Sequence, residues 1–175
     1  MSAALQHAPI LVVGAGIMGA GIAQVAAQAG HQVFLHDLRE GAAEQAKLQL
    51  TKTLNALVAK GKLAQDAADA ALARIQPIRA LQDASLARLA VEAIVEQLQP
   101  KRALFSQLEE VLAADAILAT NTSSISVTAI ANGLKHPERL VGMHFFNPVP
   151  LMKLVEVVSG LQTAPEVAER IYDLS

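Results

Sequence analysis

The sequence predicts an α/β domain with a doubly wound, mostly parallel β-sheet, and three observations support this prediction. Short apolar runs typical of buried strands alternate with segments of helical pattern along the 175 residues. A glycine-rich turn joins the first apolar run to the first helical segment. A short stretch with two prolines separates the last two apolar runs, which favours an antiparallel strand pair at the C-terminal end of the sheet.

Seven apolar runs are the candidate strands, and they span 10–13, 32–36, 74–78, 89–95, 116–120, 139–144 and 151–158. The segment 41–73 predicts two helices broken near Gly61, which we interpret as a hairpin covering the sheet edge. Pro100 and Pro165 predict the starts of two further helices, because the first turn of a helix does not need the N–H that proline lacks.

The composition excludes several classes of function. With 53% hydrophobic and 17% charged residues, we expect residues 1–175 to form one folded domain. A net charge of −2 and only 3% aromatic residues argue against a nucleic-acid partner. The chain has no cysteine, and its five histidines show no ligand spacing, so we expect no metal site. We expect a cytoplasmic location.

The glycine-rich turn has the pattern of a dinucleotide-binding loop, Gly14-Ala-Gly16-Ile17-Met18-Gly19. Gly14 allows the sharp turn out of the strand, Gly16 allows a pyrophosphate to approach the backbone, and Gly19 allows the helix to pack on the sheet. The N-terminus of that helix then favours an anion. The turn therefore predicts a Rossmann-type domain.

Asp37 indicates which dinucleotide binds. It ends the second apolar run, close to the spacing of about 20 residues expected after the glycines. A carboxylate there accepts hydrogen bonds from the adenosine ribose and repels a 2′-phosphate, which favours NAD. Arg39 leaves NADP open as an alternative, because an arginine at this place would hold a 2′-phosphate.

A membrane segment or a signal peptide is an alternative interpretation of the same stretch, because no charged residue precedes Asp37. A signal peptide would begin with a positive charge, and Gln24 and Gln28 interrupt the apolar face. The glycines also cluster at one turn. We therefore expect no membrane association.

The last strand pair predicts a catalytic arrangement. If its turn is centred on Pro150, His144 lies opposite Glu156, and opposed side chains share one face of the sheet. A carboxylate that orients a histidine is typical of general acid–base catalysis. From these two residues alone, a structural pair remains the alternative.

Polar residues also follow two other strands. Glu92 and Glu96 end the strand 89–95, where we expect either a ligand crevice or plain surface exposure. The run 121–126 carries small hydroxyl and amide side chains, which would contact a ligand or cap the next helix.

Together these motifs resemble the 3-hydroxyacyl-CoA dehydrogenases. The resemblance rests on the glycine turn, on Glu92-Ala-Ile-Val-Glu96, on Asn121-Thr-Ser-Ser, and on His144-Phe-Phe-Asn-Pro-Val-Pro followed by Met-Lys-Leu-Val-Glu156. It implies NAD-dependent oxidation of an L-3-hydroxyacyl-CoA to a 3-ketoacyl-CoA. The region around Lys60 and the tail after Glu156 are similar to bacterial enzymes acting on 3-hydroxyadipyl-CoA in phenylacetate breakdown.

The resemblance also implies roles for individual residues. His144 would act as the base, Glu156 would orient it, Ser123 would contact the substrate oxygen and Asn147 would shape the site. Further residues would lie along the NAD, namely Glu96, Lys101 and Asn121, with Asp37 on the adenosine ribose. Thr53 and Lys60 match positions near the CoA, although lysines on a helix are usually just solvated.

Family members continue into an all-helical C-terminal domain, which we expect to be absent from residues 1–175. That domain completes the acyl-CoA site and forms the homodimer, so its loss would expose apolar surface near Val157 and Ile171.

Two alternatives stay open: a stand-alone NAD-binding sensor or subunit without turnover of its own, and a 3-hydroxyisobutyrate dehydrogenase. The second shares the glycine start, but those enzymes use a lysine from elsewhere, so His144 and Glu156 argue against it.

Overall fold

The computed structural model describes residues 5–175 and contains one seven-stranded sheet. The strands lie in the order β3-β2-β1-β4-β5-β6-β7. Their bounds are β1 Ile10–Val13, β2 Val33–His36, β3 Ile75–Ile78, β4 Leu89–Glu92, β5 Ile117–Thr120, β6 Leu140–Phe145 and β7 Val155–Ser159. Neighbouring strands pair in parallel except for β6 and β7, which are antiparallel. The fold class predicted from the sequence is therefore confirmed.

Helices cover both faces of the sheet, as the alternating pattern requires. Their bounds are α1 Ile17–Gln28, α2 Ala42–Ala59, α3 Gln65–Arg74, α4 Leu98–Val111, α5 Val127–Ala131 and α6 Pro165–Leu174. Alternate residues of β1 belong to two separate apolar clusters: Ile10 and Val12 to one, Leu11 and Val13 to the other. Both faces of this strand are therefore buried, which explains its uninterrupted apolar sequence.

The order of the strands reverses between β1 and β4. From β1 the chain passes to β2 and β3 on one side of the sheet, and it then returns to place β4 on the other side of β1. Ligands of open α/β sheets bind at such a switch point, outside the carboxyl ends of the strands. The fold therefore places the glycine turn after β1 next to the turns that follow β4 and β5.

Three element bounds differ from the sequence prediction by two residues or more. The strand β4 ends at Glu92 instead of residue 95, because the Glu92 carboxylate accepts the N–H of Ile94 at 2.7 Å and so takes it away from the sheet. The strand β7 begins at Val155 instead of residue 151, because the chain first forms a turn in which two N–H groups bond to the carbonyl of Pro148. The helix α4 begins at Leu98, so Pro100 lies within its first turn.

The helical hairpin is formed as predicted, with Gly61 between α2 and α3 at a φ of +66°. The long apolar stretch at the start of the chain divides into β1, α1 and β2, which rules out one continuous helix there. Within residues 5–175, no helix is both long enough and apolar enough to cross a bilayer.

Candidate active site

A cavity of about 340 Å³, here called the site cavity, opens at the carboxyl ends of β4, β5 and β6. It brings together seven of the residues that the sequence analysis assigned to the site: Met18, Glu96, Lys101, Asn121, Ser123, His144 and Asn147. These residues come from four separate stretches of the chain. Their convergence at one cavity is produced by the parallel strands, whose carboxyl ends meet at the same edge of the sheet.

His144 borders the site cavity and forms a close pair with Glu156. The two residues are directly opposed in the β6–β7 ladder, and Nδ1 of His144 lies 2.9 Å from Oε2 of Glu156. An ionised carboxylate only accepts hydrogen bonds, so Nδ1 carries the hydrogen and Nε2 keeps a free lone pair. The register predicted from the sequence is confirmed, and the geometry suits a histidine that accepts a proton at Nε2.

The turn after β5 is built from polar side chains with distinct partners. The side-chain carbonyl of Asn121 accepts the backbone N–H of Phe145 at 2.9 Å and so joins the end of β5 to the end of β6. Ser126 caps α5 by accepting the N–H of Ala129 at 3.2 Å. Ser123 lines the site cavity. The capping expected of this run is thus provided by Ser126, whereas Ser123 faces the cavity, where contact with a ligand stays a prediction.

The glycine turn is as tightly constrained as its sequence suggests. Gly14 has a φ of +106°, and a Cβ on Gly19 would lie 1.6 Å from the carbonyl oxygen of Gly14. A Cβ on Gly16 would meet no atom within 4 Å, so this position faces open space just before the first turn of α1. Two glycines therefore serve the packing of the turn, whereas Gly16 keeps the helix N-terminus accessible.

Asp37 follows β2 beside this turn and has four hydrogen-bond donors around it. Its Oδ2 accepts the N–H of Ala15 at 2.8 Å, and the Arg39 guanidinium donates to both of its oxygens at 3.0 and 3.1 Å. The N–H of Arg39 donates at 2.9 Å. Burial alone would raise the pKa of Asp37, but the hydrogen bonds from Arg39 and Ala15 outweigh it and lower the pKa to about 2. Asp37 is therefore ionised at neutral pH.

Glu92 is a buried acidic residue. The sequence had left open whether it faces a ligand crevice or the plain surface. It is fully buried, and its Oε1 lies 2.5 Å from the ammonium of Lys101, which is also buried. Its other oxygen accepts the hydroxyl of Thr120 at 2.8 Å. Glu96 was expected on the same strand but lies in the following turn, at the rim of the site cavity.

Thr53 and Lys60 lie away from the site cavity. Thr53 is exposed on α2 and Lys60 is exposed just after the end of that helix, and the Thr53 hydroxyl donates to the carbonyl of Gln49 at 3.0 Å. A second cavity, of about 690 Å³, lies between the glycine turn and the first half of α2, and Gln49 and Ile17 line it. Residues 5–175 contain no group of three side chains able to hold a metal ion.

The fold and this site define a nucleotide-dependent dehydrogenase domain: a glycine turn and an acidic residue for the dinucleotide, with a histidine–carboxylate pair beside them. The chain matches the family described as 3-hydroxyacyl-CoA dehydrogenase, NAD binding domain, over residues 9–175. The chain therefore belongs to this family and is an NAD-binding domain. This confirms the resemblance drawn from the motifs and excludes the 3-hydroxyisobutyrate dehydrogenase alternative.

Individual relatives support the same assignment. The chain is 49% identical to a 3-hydroxyadipyl-CoA dehydrogenase of Escherichia coli over 95% of its own length and 35% of the relative's. It is 42% identical to a 3-hydroxybutyryl-CoA dehydrogenase of Clostridioides difficile over 95% of its length and 59% of the relative's. A crystal structure of a 3-hydroxybutyryl-CoA dehydrogenase from Escherichia coli superposes with a TM-score of 0.93 at 49% identity, over 95% of this chain and 35% of that one. The chain thus spans between about a third and three fifths of these relatives.

Proposed function

We propose that the protein containing this domain oxidises an L-3-hydroxyacyl-CoA to the 3-ketoacyl-CoA with NAD. The observation that carries the proposal is the His144–Glu156 pair, whose histidine lines the site cavity at the carboxyl edge of the sheet. A structural histidine–glutamate pair would not need to face a cavity. The relatives' names, which specify 3-hydroxyacyl-CoA substrates, support the same reaction.

The residues present fit NAD. Gly16 leaves open space in front of the N-terminus of α1, where backbone N–H groups attract the pyrophosphate. Asp37 is ionised and lies at the end of the adjacent strand, where it suits the ribose hydroxyls. When bound, NAD supplies the acceptor for the hydride that leaves C3 of the substrate.

His144 performs the proton transfer. Its Nε2 takes the proton of the substrate 3-hydroxyl while the C3–O bond becomes a carbonyl, and the Nδ1–H keeps its bond to Glu156. The imidazole becomes positively charged in this step, and the carboxylate of Glu156 stabilises that charge. Glu156 is therefore a positioning and charge-balancing residue rather than a second base.

Other residues hold the substrate and the cofactor. Ser123, at the cavity wall, contacts the substrate oxygen, and Asn147 shapes the wall beside His144. The remaining cavity residues that we place along the cofactor are Met18, Glu96, Lys101 and Asn121. Thr53, exposed on α2, and Lys60, exposed just after it, contact the CoA moiety outside the site cavity.

The names of the relatives specify two different acyl groups. The Escherichia coli relative is named for 3-hydroxyadipyl-CoA, and the Escherichia coli crystal structure is named for 3-hydroxybutyryl-CoA. We propose the 3-hydroxyadipyl-CoA type, with a place in phenylacetate breakdown. A side-by-side measurement of kcat/KM on the two CoA esters decides between them.

Residues beyond this domain complete the site in our proposal. Leu151 is 75% exposed and Leu154 is 52% exposed, and both lie in the segment that links β6 to β7. Such a cluster of exposed apolar side chains suits contact with a helical second domain, which we propose also forms a homodimer. Ile171, which we expected at this surface, belongs to α6 and is fully buried, because it lies on the face of that helix that packs against the sheet. We place the protein in the cytoplasm.

The test compares the isolated domain with the full-length protein. Calorimetry should show NADH binding to the isolated domain, because Gly16, Asp37 and the site cavity all lie within it. Steady-state oxidation of 3-hydroxybutyryl-CoA by the isolated domain should be slow, since catalysis needs the 3-hydroxyl held in near-attack geometry, an effect worth up to about 7–11 kcal/mol. NADH binding by a full-length protein that oxidises no 3-hydroxyacyl-CoA would favour the alternative of an NAD sensor without turnover.

A further inference from the structure

A group of three charged side chains borders the site cavity, and two of them are fully buried. Glu92 ends β4, Lys101 lies near the start of α4, and Glu96 lies in the turn between these elements. The ammonium of Lys101 lies 2.5 Å from Oε1 of Glu92 and 3.1 Å from Oε2 of Glu96. The group therefore combines two carboxylates with one ammonium and carries a net negative charge.

Glu92 requires the charge of Lys101. A fully buried carboxylate is costly unless a cation and hydrogen bonds compensate it. Lys101 is the only cationic partner of Glu92 within residues 5–175, and the Ile94 N–H and the Thr120 hydroxyl complete its hydrogen bonds at 2.7 and 2.8 Å. The surplus negative charge of the group thus lies on Glu96, which lines the site cavity where Glu92 does not.

Glu96 is fixed in place as an ionised group. Its Oε1 accepts the Thr122 hydroxyl and the Ser124 hydroxyl, the latter at 3.1 Å, and the N–H groups of Ser123 and Ser124 at 3.2 and 3.3 Å. Burial alone would raise the pKa of Glu96, but the hydrogen bonds from Thr122 and Lys101 lower it to about 2. The carboxylate is therefore charged and immobile at neutral pH.

We propose that Glu96 is the counter-charge for the oxidised nicotinamide ring and raises the affinity of the domain for NAD⁺ relative to NADH. This rests on the proposed function, because the hydride transfer that accompanies proton transfer to His144 requires the nicotinamide to lie in the site cavity. The oxidised ring carries a positive charge that the reduced ring lacks. A fixed carboxylate beside the ring therefore stabilises one redox form and leaves the other nearly unaffected.

The same arrangement balances charge across the reaction. Oxidation of the alcohol removes the positive charge from the nicotinamide and places one on the imidazole of His144. Glu96 lies on the cavity wall, where it faces the charge present before the transfer, and Glu156, 2.9 Å from Nδ1 of His144, faces the charge formed by it. Glu96 is thus the carboxylate that favours the reactants, and Glu156 is the one that favours the products.

Three variants separate the charge of Glu96 from its geometry. Glu96→Gln keeps the length of the side chain and an accepting oxygen but removes the charge. Glu96→Asp keeps the charge but shortens the side chain. Glu110→Gln removes a negative charge from an exposed position of α4, where Glu110 pairs with Lys135 outside the site cavity.

Calorimetry near neutral pH gives the dissociation constants of NAD⁺ and NADH for each variant. Glu96→Gln should raise the ratio of the NAD⁺ constant to the NADH constant by about three- to tenfold. Glu96→Asp and Glu110→Gln should change that ratio by less than about twofold. An unchanged ratio in Glu96→Gln, or an equal change in Glu96→Gln and Glu96→Asp, overturns the proposal. A wild-type domain that binds neither form overturns the proposed function along with it.

Discussion

His144 and Glu156 face each other across the antiparallel pair β6 and β7, with Nδ1 of the histidine 2.9 Å from Oε2 of the glutamate. Five residue pairs between the two strands set this register. A shift by one residue would send the glutamate to the other face of the sheet. The orientation of the His144 ring by Glu156 therefore depends on the register of the β6–β7 pair.

Replacing His144 by Gln in the full-length protein should lower kcat by at least about 100-fold, because the base is lost. NADH affinity should stay nearly unchanged, since the ring binds no cofactor atom in our proposal. The steady-state rate of NADH formation, followed by absorbance, gives kcat, and calorimetry gives the NADH affinity. His136→Gln is the matched control, because His136 pairs with Glu138 on the surface. Full activity in His144→Gln would refute the assignment of the base.

Gly16→Ala and Gly19→Ala should separate cofactor binding from folding. A Cβ at Gly16 meets no atom within 4 Å, so the fold should tolerate alanine there, yet NADH affinity should fall by at least about tenfold because the methyl group obstructs the pyrophosphate. A Cβ at Gly19 would lie 1.6 Å from a carbonyl oxygen, which should cost about 3 kcal/mol of unfolding free energy. Urea unfolding and NADH titration measure both effects. Equal NADH affinity in wild type and Gly16→Ala would contradict the placement of the pyrophosphate.

Asp37→Ala should weaken NADH binding more than NADPH binding. The carboxylate accepts ribose hydroxyls and repels a 2′-phosphate, and its removal leaves Arg39 without its ionic partner. Titration of both cofactors by fluorescence gives the two affinities. Asp115→Ala is the control, because Asp115 pairs with Arg88 on the exposed surface. Tighter binding of NADPH than of NADH by the wild-type domain would favour the NADP alternative.

Stability should depend on the charge of Asp37 in acid. The pKa of this carboxyl is lowered from 3.8 to about 2 in the folded chain, so its ionised form stabilises the fold. A lowered folded-state pKa gives stability that is present above the unfolded-state value and is lost as the pH falls towards about 2. Asp37→Asn should therefore reduce the unfolding free energy by about 1 kcal/mol near neutral pH and by almost nothing near pH 2. Denaturant unfolding at several pH values tests this, and an equal loss at both extremes would contradict it.

The sequence predicted the bounds of five of the seven strands closely. The bounds of β1, β2, β3, β5 and β6 differ from the predicted runs by no more than one residue at each end. The strands β1 and β5 are buried along their whole length, and such uninterrupted apolar runs are typical of parallel strands covered on both faces. The ends of β4 and β7 were less predictable. Glu92 removes the N–H of Ile94 from the ladder, and the turn after Pro148 delays β7.

The sequence by itself determined the fold class, the dinucleotide turn and the facing of His144 and Glu156, because each of these depends on short-range spacing along the chain. Only the tertiary structure decided that Glu92 is buried and paired with Lys101, and that Glu96 leaves the strand to meet Thr122 and Ser124. The contacts of Glu96 with Thr122 and Ser124 join residues 26 and 28 positions apart in sequence, and the Thr120 hydroxyl that helps to compensate Glu92 lies 28 positions away. Whether a carboxylate is buried and compensated depends on which elements pack around it, and no local pattern records that packing.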